Sequence, residues 1–241
     1  MSIQNENLLY KLFGVNAELL IDHAWGYETT NIKDIKEYKP ENNSISSGQV
    51  LHCPYDYKKA RLIVSEMIDS LSLELTEKEK MTNSIVLMIG YEIDNTFSYD
   101  GDIVTDYYGR RVPKPAHGHK TLDYSTSSSK ILTSKCLELY DEIINKNLLV
   151  RRINICACNV IDEKTAKKEV NFSQLDLFSD NNKVLEEKKE DKIKQNDEIK
   201  LQKTVTRLKN KYGKNIILKA MSLEEGATMK ERNMQVGGHK G

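Results

Sequence analysis

Apolar and polar positions along the chain change their period several times, and each change marks an element. Between residues 8 and 40, Leu8, Leu9, Leu12, Leu19, Leu20 and Ala24 recur at helical spacing, with Gly14 and Gly26 as stops. This predicts short helices with too few apolar groups to hold a core without a neighbour. From residue 45 the pattern differs. Residues 45–51 predict a short strand, and after Pro54 the residues Ala60, Ile63, Val64, Met67, Ile68 and Leu71 trace one stripe of an amphipathic helix. Residues 84–93 alternate, placing Ile85, Leu87, Ile89, Tyr91 and Ile93 on one face of a strand. A Gly-, Pro- and Asp-rich excursion follows to about Pro115. Residues 119–124 predict another strand, and the serines at 125 and 127–129 offer N-caps. The next helix carries Leu132, Cys136, Leu139, Tyr140 and Ile143 on one face, and residues 148–161 form a long last strand.

The order is β-α-β-β-α-β, an α+β fold in which two helices cover one face of a four-stranded sheet and leave the other open. Parity along the last strand sorts its residues: Arg151, Ile153, Ile155 and Ala157 toward the helices, Arg152, Asn154, Cys156 and Cys158 toward the open face. After Ile161 the composition turns to Lys, Glu, Asp and Asn, with one apolar island at residues 172–178. Residues 179–200 are expected to be disordered or a solvated helix, and Leu201, Val205 and Leu208 give a short helical stripe. The last glycines suggest a loosely ending chain. Four segments follow: a helical piece over 1–40, a sheet domain over 41–162, a charged linker over 163–200 and a partly helical, largely disordered tail over 201–241.

Composition narrows the function classes. Apolar residues make up 39% of the 241 and charged residues 30%, so part of the chain is expected to stay unpacked. No apolar run reaches the ~20 residues of a membrane span, and the N-terminus lacks signal-peptide features, which points to a soluble, cytoplasmic chain with no membrane partner. Positive and negative groups balance at 36 each, so any nucleic-acid contact must come from local patches rather than a global basic excess. Cys53, Cys136, Cys156 and Cys158 read as free, buried thiols. A metal site completed by His117 and His119 does not match zinc-ligand spacing.

No phosphate-binding glycine motif is present, and no nucleophile–base pair stands out. Asp100, Asp102 and Asp106 crowd the excursion as solvated turns or, less in keeping with their pattern, a cation site. Two basic groups are more informative. One holds Arg110, Arg111, Lys114 and Lys120; the other is Arg151-Arg152 at the start of the last strand. Arg forks and loop backbone N–H groups on a rigid sheet suit phosphate oxygens. The same hairpin residues could equally serve as a solubilising surface.

Several stretches together resemble a known family. Residues 12–26 (LFGVNAELLIDHAWG), 32–36 (IKDIK), 44–51 (SISSGQVL), 149–153 (LVRRI) and 231–239 (ERNMQVGGH) are similar to the C-terminal half of Y-family translesion DNA polymerases of the UmuC/ImpB/MucB group. The resemblance implies a thumb end at 8–40 and a little-finger DNA-binding domain at 41–162. Ser46, Ser47, Gly48 and Gln49 on the first strand, with Arg151 and Arg152 on the last, then correspond to contacts with the DNA backbone. Arg110, Arg111 and Lys114 are added from the basic hairpin. Gln174, Leu175, Leu177 and Phe178 resemble the Q-L-x-L-F motif that binds the bacterial sliding clamp, with Leu177 and Phe178 filling an apolar pocket. The same five residues could also be a chance apolar island.

By the same resemblance, the palm, its Mg²⁺-binding acids and the fingers precede the thumb. No catalytic residue, metal ion or cofactor is therefore expected in this chain, and a separate chain carrying palm and fingers is a possible partner. The expected role is DNA binding and clamp tethering in lesion bypass and SOS-type DNA repair, without polymerase activity from this chain alone. Two competitors remain. One is an interaction protein that competes for the clamp without DNA. The other is an independent enzyme with a metal at Asp100, Asp102 and His117.

Overall fold

The computed structural model describes residues 5–38, 43–97, 99–106, 109–169, 181–236 and 239–240. Two compact units divide the chain, residues 1–41 and 42–241. In the first, α1 (Glu6–Phe13) is capped by Asn5, whose side chain accepts from the Asn7 N–H, and ends at Gly14 with φ +57°. After α2 (Asn16–Ala24), Asn31 and Asp34 form a reciprocal capping box that starts α3 (Ile32–Glu37). Of the described side chains here only Leu9 and Ala17 are buried, while Leu12, Val15, Leu19, Trp25 and Ile32 are exposed. α1 and α3 hold their local form through side-chain caps rather than through a core, whereas α2 has no side-chain cap.

The second unit begins with β1 (Ile45–Tyr55), α4 (Tyr57–Glu77) and β2 (Lys80–Tyr91). A short hairpin of β3 (Ile103–Thr105) and β4 (Arg111–Pro113) follows, then β5 (Ala116–Thr126), α5 (Ser129–Ile143), β6 (Val150–Cys158) and β7 (Ile161–Asp162). Asp56 caps α4 and Ser128 caps α5 through side-chain oxygens. The main sheet runs β1-β6-β2-β5, every neighbour antiparallel, with β7 added beside the start of β2. The α+β expectation is met. Both helices lie on one face, where the α4 stripe (Ala60 to Leu71) and Leu132, Cys136, Leu139 and Tyr140 of α5 are buried against Ile85, Leu87, Ile89, Ile153 and Ile155. Each such aliphatic side chain contributes roughly 1.5–3 kcal/mol on leaving water. Gly118 lets α5 approach β5 closely: a Cβ there would stand 2.8 Å from Leu139 Cδ1 and Ile143 Cγ2.

Several boundaries differ from the periodic reading. Ile93 begins a 3-10 turn (Ile93–Phe97) instead of continuing β2. The last strand divides at Asn159, whose φ of +52° breaks extended geometry. Arg151 does not join Ile153 under the helices. Gly90 pairs with Arg152 and Tyr91 with Val150, so the ladder passes over Arg151 as a bulge, and Arg151 Nε instead sits 3.3 Å from Glu92 Oε2. A two-residue period carries no record of such an inserted residue.

The segment after β7 is also more ordered than its composition suggests. It forms α6 (Glu163–Glu169), a long α7 (Asn181–Tyr212), a 3-10 turn (Ala220–Leu223) and α8 (Met229–Arg232), then Gln235–Val236 paired with His239–Lys240. The solvated-helix alternative is realised in α7. Its described half packs on α4, and Gln202 is buried, donating to Thr76 Oγ1 and to the Ser127 carbonyl. Glu198 accepts from Ser128 Oγ and the Lys130 N–H at the start of α5. The end of the chain is not loose through residue 236. Glu66 on α4, fully buried, accepts from the N–H groups of Thr228 and Met229 and so anchors α8. Lys219 Nζ lies 2.6 Å from Asp69 Oδ1, a second tie to α4.

Candidate nucleic-acid interface

The face of the sheet away from α4 and α5 is built by alternate residues of four strands. Strand register puts Gly48, Asn154, Met88 and His117 in one row and Ser46, Cys156, Val86 and His119 in the next. Val50, Arg152 and Gly90 form a row on one side of these, and Cys158, Ser84 and Thr121 a row on the other. None of these residues is a carboxylate. These rows are therefore neutral to weakly positive, while Asp123 is exposed further along β5. Ser46, Gly48, Val86, Met88, His117 and Asn154 line a shallow depression at its centre.

Two strand glycines shape this surface. A Cβ at Gly48 would collide with Asn154 Oδ1, and one at Gly90 would come within 3.2 Å of Arg152 Cβ. Each glycine leaves room for a polar side chain of β6 to lie beside a neighbouring strand. Glycine inside a strand weakens it, and such a position marks close approach. That was the available signal for Asn154 and Gly90, neither of which entered the sequence-derived contact set.

The sequence-derived contact residues divide. Ser46 and Gly48 lie on the open face, and Arg152 is exposed there without an ion-pair partner among the described residues. Ser47 and Gln49 point to the opposite side, where the C-terminal segment meets them: Gln49 Nε2 donates to Thr228 Oγ1 at 2.9 Å and Arg232 Nη2 to Ser47 Oγ at 3.4 Å. Burial pushes the Arg232 guanidinium below its ordinary range, with Glu66 opposing the shift. Arg151 is tied to Glu92, itself mostly buried.

The basic hairpin is largely neutralised from within. Arg110 Nη2 lies 2.7 Å from Asp106 Oδ2, and the Arg110 N–H donates to Asp106 Oδ1 across the turn. Lys114 Nζ is 3.3 Å from Asp102 Oδ2. Arg111 remains exposed and unpaired among the described residues. Lys120 faces α5, held by Glu142 at 2.6 Å and Glu138 at 3.4 Å.

Gln174, Leu175, Leu177 and Phe178 lie outside the described residues. Among the described residues no three His, Cys, Asp or Glu side chains converge in the manner of a metal site, and the pairing of Asp102 with Lys114 occupies a carboxylate that the metal-enzyme alternative requires. No described helix is long and apolar enough to cross a membrane. Of the thiols, Cys136 is buried, and burial raises it to about 12. Cys53, expected to be buried, is exposed, because the β1–β6 register shifts between Val50 and Tyr55 and residues 52–54 turn outward. Cys156 and Cys158 are half-buried on the open face.

Comparison with known proteins gives the chain its family. Residues 42–177 match the impB/mucB/samB family C-terminal domain. A Bacillus subtilis (strain 168) protein named for UV-damage repair, UvrX, is 25% identical over 234 residues, which is 97% of this chain and 47% of that protein. The chain thus spans about half the length of this relative. Among solved structures, a Y-family DNA polymerase chimera of Dbh and Dpo4 aligns with 66% of this chain and 39% of its own, at 19% identity and a TM-score of 0.38. With more than half its length matched by that family model, the chain belongs to the impB/mucB/samB family, and the helix-backed sheet lies in the part matched as the family's C-terminal domain.

Proposed function

We propose that the open face of the β1-β6-β2-β5 sheet binds the backbone of primer–template DNA during lesion bypass in DNA repair. The observation that supports this most directly is the face itself. It is a solvent-facing sheet whose central rows carry no carboxylate, with Arg152 exposed and Ser46, Gly48 and Asn154 offering small polar groups beside it. Such a surface favours phosphate contacts over base reading, so binding is weakly sequence-dependent and falls as salt rises. Arg111 extends the positive rim, whereas Arg110 and Lys114 must exchange an Asp partner for a phosphate to contribute. Ser47 and Gln49 act indirectly, by fixing β1 to the C-terminal segment. Nucleotidyl transfer and its Mg²⁺ ions are assigned to palm and finger segments, in the same or a separate chain. Gln174, Leu175, Leu177 and Phe178 are proposed to hold the sliding clamp, with Leu177 and Phe178 as the apolar anchors.

Fluorescence anisotropy of labelled primer–template DNA tests the first claim. Saturable binding is expected at low salt, weakening at moderate salt. Arg152→Ala is expected to lower affinity about tenfold and flatten the log–log salt slope by about one. Salt-independent binding, or binding indifferent to Arg152, would contradict it. Clamp pull-down tests the second: loss in Leu177→Ala/Phe178→Ala with retained DNA binding is the expected separation. Full function with Arg152 removed but not with Phe178 removed would favour the DNA-independent clamp competitor.

A further inference from the structure

One pair of thiols on the open face has no part in the proposed phosphate binding. Cys156 and Cys158 are same-face neighbours on β6, and same-face positions along a strand start about 6.6 Å apart. Their sulfurs nevertheless stand 3.6 Å from each other. Both side chains must therefore lean together, and both are partly open to solvent. We propose that Cys156 and Cys158 form a dithiol site for a thiophilic divalent cation, on the DNA-binding face, so that metal and DNA exclude one another there.

Geometry selects this chemistry over a disulfide. Two thiolates bound at ~2.3 Å to a tetrahedral ion lie roughly 3.8 Å apart, close to the separation already present. A disulfide instead needs the sulfurs at about 2.05 Å and Cβ atoms about 3.5–4.5 Å apart, well inside the roughly 6.6 Å spacing of same-face positions on an extended strand locked between β1 and β2. Thiolate pairs select soft ions over magnesium or calcium, which take oxygen ligands. Binding replaces two S–H bonds with two S–metal bonds and releases two protons, and no oxidation state changes. The remaining coordination positions face solvent, where the ion and its water ligands would stand above the face beside Ser46 and Val86, the strand partners of Cys156.

The exclusion of DNA rests on the proposed function, whereas metal capture does not. The full chain is titrated with Cd²⁺ in the absence of DNA, and binding is read from sulfur-to-cadmium charge-transfer absorption in the ultraviolet. The proposal expects one equivalent, at least a tenfold loss of affinity in Cys156→Ser and in Cys158→Ser, and no change in Cys53→Ser. Undiminished binding in both β6 variants, or binding that disappears with Cys53, overturns it. Circular dichroism verifies that the variants fold. A second titration adds Cd²⁺ to the DNA complex. Release of DNA by Cd²⁺ in the wild type but not in Cys158→Ser supports the exclusion, and simultaneous binding of both overturns it. If Cd²⁺ binds as stated but the protein binds no DNA under any salt condition, the proposed DNA function fails and the metal site stands.

Discussion

The two faces of the sheet come from alternate residues of the same strands, yet they are held to different rules. On the covered face Ile85, Leu87, Ile89, Ile153 and Ile155 are fully buried beneath α4 and α5. On the open face their immediate neighbours Val86, Met88, Asn154 and Cys156 are only half-covered. Volume and shape govern the first, because close-packed interiors relax poorly around a deletion. The second tolerates side chains as different as glycine, asparagine, methionine and cysteine, and what they share is the absence of a negative charge. A single backbone thus carries a layer selected for stability and a layer free to be selected for binding.

Adjacent residues of β2 provide the sharpest contrast. Leu87→Ala on the covered face is expected to cost about 3 kcal/mol of unfolding free energy, and Met88→Ala on the open face about 1 or less. Urea denaturation of the two variants measures both, and equal costs would mean that the open face is buried in the working protein. Next in size, Asp141→Asn is expected to cost about 1 kcal/mol, since Asp141 joins α4 to α5 by accepting from Arg61 and Tyr57 while more than a third exposed. Burial alone would raise this carboxyl, but the hydrogen bonds from Arg61 and Tyr57 prevail and hold it below its ordinary range. Its contribution is therefore complete above the unfolded carboxyl's ordinary value of 3.8 and is lost as pH falls through the lower folded value. Acid titration of the Asp141→Asn variant should show that the stability gap to wild type closes at low pH.

The smallest expected effect falls on the open face again. Gly90→Ala places a methyl against the Arg152 stem and should weaken DNA binding roughly three- to fivefold, with stability changed by about 0.5 kcal/mol or less. A stability loss as large as that of Leu87→Ala would make Gly90 a packing residue and remove it from the binding surface.

Hydrophobic period made most of the sheet domain legible. The α4 stripe, the α5 stripe and the alternation in β2 each needed only local spacing, and all are buried as the spacing requires. What escaped depends on partners far away in sequence. Glu66 looks like an ordinary helix-surface acid until Thr228 and Met229, 162 and 163 residues later, bring their N–H groups to it. Ser47 and Gln49 likewise gain their partners from the C-terminal segment, so strand position alone could not tell them from Ser46 and Gly48. At Arg151 one bulged residue cancelled the parity rule. For the contact surface, parity puts Arg152 on the open strand face, where it is exposed, but pairing within the hairpin, invisible to composition, neutralises Arg110 and Lys114.

Backbone-amide NMR of the ¹⁵N-labelled chain, with and without a short primer–template duplex, locates the contact surface most directly. Binding by the open face should shift Gly48, Gly90, His117 and Asn154, leaving residues on the outer surfaces of α4 and α5, such as Arg61 and Lys135, in place. Shifts concentrated on α4, α5 or the C-terminal segment instead would contradict the assignment of DNA to the open face of the sheet.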